Sequence, residues 1–363
     1  MLRRRLQGAL VVVVATCAVT HVARGQATTV EGASVLIFPR VIADGTWDTT
    51  IQIGNGANRP AYAHCFYVNG ALTNPALPPG PTNPPRWVPI DFPIALVRQQ
   101  PTHWTASRGR LDDPSDPTCR QPPPVDCDGA GFDPGVVPAV PAGFTGELRC
   151  IEVDASGAPW SGNALYGVAT LTNLTSREVV KYPAVGLPGF ETNNADDTLC
   201  IGGNTRSSCA HGGEYGGCPL EWVVSHPSDA DDRPTDGVAR ATDLTVVPCS
   251  ENFESQVPAP MTLTFVLTNE FEQTFSAATT VTCWADLRLS DVNLVFGRAM
   301  LGGDWVLTRT RAAGATPRGY MLVQQTVRET ARPPTFAAAA VIPAHTAQSV
   351  AADVITLPQR VGQ

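Results

Sequence analysis

The sequence predicts an all-β protein of two antiparallel β-sandwich units, and three observations carry that prediction. Short apolar segments alternate with polar residues at a period of two, as half-buried strands require. No long stretch keeps a helical period; the best helix candidate, "PTFAAAAVIPA", is cut short by Pro343. The 32 glycines and 33 prolines punctuate the apolar segments as turn residues do.

Along the chain, "MLRRRLQGALVVVVATCAVTHVARGQ" comes first: three arginines, an apolar run from Ala9 to Val19, then Ala23-Arg24-Gly25. That order predicts a secretory signal over residues 1–25 and a protein secreted or held in the periplasm. A variant ends the signal at Cys17 and anchors the chain by a lipid, but Thr16 suits that processing poorly. The run is too short for a spanning helix, which needs about 20 apolar residues.

Residues 26–190 read as the first sandwich unit. "SVLIFPRVIA" is a continuous apolar strand, and "DTTIQIGN" alternates Ile51 and Ile53 with polar residues. "AYAHCFYVNG" places apolar side chains on both faces, which predicts a strand covered on both sides. A proline-rich insertion at 75–141 holds 17 of the 33 prolines and reads as long loops with one strand at "DFPIALV". Residues 191–240, rich in Gly, Asp and Cys, read as an irregular stapled connection. The second unit spans 241–363, where "MTLTFVLTN" alternates most cleanly. In both units a strand ending in Asn is followed by a loop and a strand carrying a cysteine-aromatic pair, Cys65-Phe66 and Cys283-Trp284, an imperfect internal repeat.

Two phrases, "TTIQIGNGANRPAYAHCFYVNG" and "LTFVLTNEFEQTFSAATTVTCWADL", give the chain a resemblance to secreted bacterial immunoglobulin-like β-sandwich proteins. They cover about an eighth of the chain. The resemblance implies two immunoglobulin-like units. It carries no functional residues, because Trp284 directly follows Cys283 here instead of standing between two cysteines on facing strands.

Charge narrows the partners. The formal charge is −8, and removing residues 1–25 takes away four arginines and no acids, giving −8 − 4 = −12. Nucleic acid and anionic membranes are therefore not expected partners, since both need a basic face. A protein or carbohydrate ligand remains open, as does the oligomeric state.

Nine cysteines follow the signal, so at least one is unpaired within the chain in an oxidising compartment. Cys65 is expected to bridge Cys150, Cys249 to bridge Cys283, and Cys119 to bridge Cys127; Cys200, Cys209 and Cys218 supply one further pair and the odd thiol. An alternative gathers Cys200, Cys209, His211 and Cys218 around zinc, although the spacing matches no common zinc loop. "DCDGAGFDPG" offers Asp126, Asp128 and Asp133 to a Ca²⁺ ion, yet Ala130 and Val137 stand where an EF-hand register needs oxygen ligands. Otherwise no cofactor is indicated.

Trp87, Trp104 and Trp160 lie in or near the proline-rich loops and are candidates for a flat ligand face. The nucleophile turn, the metalloprotease helix, the phosphate-cradling loop and the dinucleotide fingerprint are missing from the sequence, and no catalytic residue is assigned. The expected function is non-enzymatic: a structural, adhesive or ligand-binding role at the cell surface or in the periplasm. The alternatives are a hydrolase with its carboxylates in the 75–141 or 191–240 loops, and a filament subunit whose strand 26–43 completes a neighbour.

Overall fold

The structure, a computed structural model, describes residues 27–77, 82–110, 135–203, 209, 213–229, 238–258, 260–330, 336–340 and 351–358. Its regular structure is almost all strand; helix is confined to single turns at Leu289–Val292, Leu294–Phe296 and Arg298–Leu301. The first half forms β1 (Val35–Ala43), β2 (Trp47–Asn55), β3 (Ala61–Asn69), β4 (Pro89–Leu96), β5 (Pro101–Thr105), β6 (Phe144–Val153), β7 (Leu165–Asn173), β8 (Val179–Pro183) and β9 (Val185–Leu187). The remainder forms β10 (Thr198–Ile201), β11 (Glu221–Pro227), β12 (Val238–Pro248), β13 (Glu251–Asn252), β14 (Pro260–Asn269) and β15 (Thr274–Thr282). It ends with β16 (Ala285–Arg288), β17 (Trp305–Ala313), β18 (Tyr320–Thr330), β19 (Phe336–Ala340) and β20 (Asp353–Thr356).

The nine strands of the first half are connected in the order β4-β3-β6-β1-β2-β7-β8, with β9 on β1 and β5 on β2. β1 meets β2 only at Ala43↔Asp48. The intervening turn is tight: the Asp44 carboxylate accepts the N–H groups of Thr46 and Trp47, and Gly45 sits at φ +92°. Beyond it the strands diverge, so the sheet folds into a leaf β4-β3-β6-β1-β9 and a leaf β5-β2-β7-β8. Phe38, Ile51, Ile53, Tyr67, Phe144 and Leu171 fill the space between the leaves.

The first leaf is apolar on its other side as well. There Val35, Ile37, Phe66 and Val68 join Leu244, Val246, Phe253, Phe265 and Tyr320 from the second half in one core. This explains why β1 reads as a continuous apolar run: all nine of its residues are buried. It also explains the two-faced β3, with Cys65 and Tyr67 in one core and Phe66 and Val68 in the other. Around the second core stand the sheets β11-β17-β14-β15 and β16-β12-β18-β19 and a small sheet β10-β20-β13.

The seam between the halves is held by polar groups too. Arg149 on β6 is wholly buried; its Nε donates to Glu147 at 2.9 Å, Nη1 donates to the Cys249 carbonyl at 2.7 Å, and Nη2 donates to the Pro248 carbonyl. Arg40 reaches across to Asp286 and Thr245, and the Trp284 indole donates to the Pro39 carbonyl at 2.8 Å. Phe66 stacks on Phe253 with ring centroids 4.2 Å apart.

Several sequence expectations need correction. Residues 191–240 are more than a connection, because β10 pairs with β20 and β11 pairs with β17. "PTFAAAAVIPA" contributes strand β19, since pairing with β18 overrides the helical preference of alanine. The two repeated phrases are also built differently. β14 and β15 are hairpin partners along their whole length, whereas β2 and β3 lie in separate leaves.

Cysteine pairing follows from the same geometry. Cys65 and Cys150 stand directly opposite on β3 and β6 with Cα atoms 4.0 Å apart, and they are bridged. The bridge expected between Cys249 and Cys283 is not formed. "TTVTCWADLR" is not one strand: β15 stops at Thr282, and Cys283 turns into the left-handed region at φ +57° with its thiol buried and free. Cys249, just past the end of β12, bonds instead to Cys218, and Cys200 bonds to Cys209. Cys119 and Cys127 lie outside the described residues.

Arg149→Met would leave two buried carboxylates without their cation. The expected outcome is a loss of about 3–5 kcal/mol in the free energy of denaturant unfolding, against which a loss under about 1 kcal/mol would show that the seam does not rest on this residue.

Candidate functional site

The most perturbed ionisable groups are sealed inside the fold. Burial pushes the Glu251 carboxyl up to about 8; Arg149 opposes the shift and Glu147 adds to it. Burial raises Glu147 in the same way against the pull of Arg149. The arginine itself would be lowered by burial, but the two carboxylates outweigh that and raise it. The Trp87 indole N–H completes the set, donating to Glu251 at 3.1 Å.

His226 is buried and lowered to about 4, so it is neutral. Its Nδ1 donates to the Pro227 carbonyl at 2.7 Å, and its Nε2 accepts from the Thr308 hydroxyl at 2.7 Å. Burial likewise pushes Asp229 up to about 6, although its carboxylate accepts the N–H groups of Thr242 and Ser290. All of these residues are buried. Glu147 Oε1 has no hydrogen-bond partner among the described residues, and Glu251, Arg149, His226 and Asp229 are each hydrogen-bonded within the interior.

The sequence-derived candidates separate. Trp87 and Trp104 are core residues, 4% and 3% exposed, with indole nitrogens bonded to Glu251 and to the Tyr67 hydroxyl; they offer no face to a ligand. Trp160 is 48% exposed beside the Arg59 guanidinium, which is tied to Glu152 at 2.8 Å. The zinc grouping fails because Cys200, Cys209 and Cys218 are all in disulfides and have no thiolate to offer. His211, Asp126, Asp128 and Asp133 lie outside the described residues.

An open face that sequence reasoning missed lies on the outer side of β11-β17-β14-β15. On β17 the residues Val306, Thr308, Thr310 and Ala312 are buried, while Trp305, Leu307, Arg309 and Arg311 are exposed. This inverts the expected pattern: two threonines go inside while a tryptophan and a leucine stay in water, 54% and 49% exposed. The inward hydroxyls have partners, Thr308 with His226 and Thr310 with the Tyr320 hydroxyl at 2.6 Å.

Neighbouring strands extend the outer face. Leu307 stands opposite Ser225 and Thr268, and Arg309 stands opposite Val223 and Val266. Arg309 is held by Glu221 at 3.2 Å. Arg311 forms no ion pair among the described residues. At the Trp305 end, exposed Phe271 and Met300 sit in a turn and a helix tied together by the Asn269 amide donating to the Leu301 carbonyl at 2.6 Å.

A concavity of about 340 Å³ lies on the first half between Thr28, Glu31, Leu36, Asn163, Tyr166 and Ala184. Its aromatic wall is the Tyr166 ring, which lies so close over Gly54 that a Cβ there would meet it at 2.4 Å.

No family model and no curated protein matches the chain. What fold and site define is a mostly antiparallel all-β protein, stapled by three disulfides among the described residues, with its titratable core closed and the outer face of β11-β17-β14-β15 open.

A raised acid contributes stability that is complete below its ordinary value, 4.5 for Glu251, and that is lost as pH rises through its folded value near 8. The expected outcome is that Glu251→Gln removes a fall in unfolding free energy between those two pH values. A wild-type-minus-variant difference that stays level across the range would contradict it.

Proposed function

We propose that this chain is an exported, non-enzymatic binding protein of the bacterial cell surface or periplasm, with an adhesive or ligand-binding role. In this reading it is built from two related immunoglobulin-like sandwich units, and it holds a carbohydrate on the outer face of β11-β17-β14-β15. One observation carries the proposal: Trp305 lies exposed on a sheet face that also presents Leu307, Arg309 and Arg311, while Thr308 and Thr310 of β17 are turned inward.

The chemistry suits a sugar. An indole face packs against the C–H side of a pyranose, and its ring edge stays wet. The hydroxyls of Ser225, Thr264, Thr268 and Ser276 border the strip. Arg311, which has no ion-pair partner among the described residues, favours a glycan bearing carboxylates, even though the chain as a whole is acidic.

The three disulfides fit an oxidising compartment, and no helix among the described residues is long and apolar enough to cross a membrane. The hydrolase alternative draws no support from Glu147 and Glu251, whose carboxyls are buried away from any substrate. Donation of the N-terminal strand to a neighbour is also poorly served, because β1 is a central strand of its own sheet.

Titration with neutral and uronic-acid polysaccharides tests the reading. The acidic polymer is expected to bind, Trp305→Ala to weaken it about tenfold, and Arg311→Ala to reduce its sensitivity to salt. Equal binding by wild type and Trp305→Ala would remove this face as the site.

A further inference from the structure

We propose that β15 is an assembly edge: two copies of this protein pair their β15 strands antiparallel and join two four-stranded sheets into one of eight. The proposal rests on edge chemistry and stands apart from the carbohydrate reading. β15 closes the sheet β11-β17-β14-β15 and pairs only with β14, so one row of its backbone N–H and C=O groups has no strand partner among the described residues.

Other strand edges of this molecule carry the devices that block such pairing. β4 has Pro89, Asp91 and Pro93. β8 holds Lys181, the chain's single lysine, and ends in Pro183. β11 has Glu221 and Pro227, and β16 has Asp286 and Arg288. β10 and β13 are only four and two residues long, and β19 lies against β8. β15 has none of these protections. Its nine residues, "TFSAATTVT", include no charge and no proline, and its register with β14 runs unbroken from Thr268↔Thr274 to Pro260↔Thr282, with no bulge to twist it away.

The sequence of β15 also selects its occupant. Set antiparallel about Ala278, two copies place Ser276 opposite Thr280 and Thr274 opposite Thr282 on the outer face, and Ala277 opposite Thr279 and Phe275 opposite Val281 on the inner face. Every pair is uncharged, and the only large side chain meets an aliphatic one. Elsewhere an acidic chain repels its own copy; here it presents a neutral strip. A foreign peptide would need pockets or charges to fix its register, and this flat row of small side chains supplies neither. A dyad perpendicular to the sheet keeps both outer faces on one side, so the two Trp305 residues face the same way.

Sedimentation velocity on the purified protein, from about 1 μM to about 500 μM, tests the pairing, with a dimer of roughly 10 μM affinity expected. Ser276→Lys with Thr280→Lys sets like charges opposite each other and is expected to weaken the dimer at least tenfold. Ser276→Lys with Thr280→Glu sets opposite charges there and is expected to restore it. Both positions are exposed, and matching thermal melts will show that each variant folds. A protein that stays monomeric throughout, a like-charge variant that dimerises as tightly as wild type, or an opposite-charge variant no tighter than the like-charge one would each overturn the proposal. So would an edge filled by an unrelated peptide while the chain remains monomeric.

Discussion

The two halves of this molecule meet on a guanidinium with no access to water. Arg149 projects from the middle of a leaf that is apolar on both faces, and its fork closes on two carbonyls at the end of a strand from the other half. Desolvating such a group is expensive, and the cost is offset only while each of its N–H groups has an acceptor. The apolar contacts around it supply most of the free energy of association, but they are tolerant of small slips. The fork is not. It fixes the position of the second half along β6, and with it the placement of Trp87, Phe253 and every sheet built on that core.

A fold organised in this way divides its chemistry by depth. The acids and the histidine with the most displaced protonation equilibria stabilise the interior and face no solvent. What reaches the surface is plainer: strand faces, loops and strand edges, among which β15 carries neither charge nor proline. On β17 the division is seen at single-residue resolution, since two inward threonines find hydroxyl and imidazole partners while the outward positions carry an indole, an isobutyl group and two guanidinium groups. With threonine satisfied inside, the indole and isobutyl groups of that strand are left in solvent.

Much of this was legible in the sequence where local pattern governs structure. The all-β class, the strands β1, β2, β4 and β14, the double burial of β3 and the pairing of Cys65 with Cys150 were all legible there. The failures share one cause: long-range contacts overrode local signals. An alanine run became a strand because β18 was available to pair with it. Cys283 lost its expected partner because the chain turns at that residue, and a left-handed bend at a non-glycine position leaves no trace in composition. Trp87 and Trp104 read as loop residues but anchor the core, whereas Trp305 drew no notice because its neighbours alternate in the opposite sense to a buried strand.

The covalent framework has a further consequence. The Cys65–Cys150 bridge spans 85 residues of sequence and encloses the entire proline-rich insertion, while Cys218–Cys249 encloses the segment between β11 and β12. A single peptide-bond cleavage inside either ring leaves one covalent molecule, because the disulfide still joins the two fragments. These two rings turn a cut within either enclosed segment from the loss of a fragment into a nick.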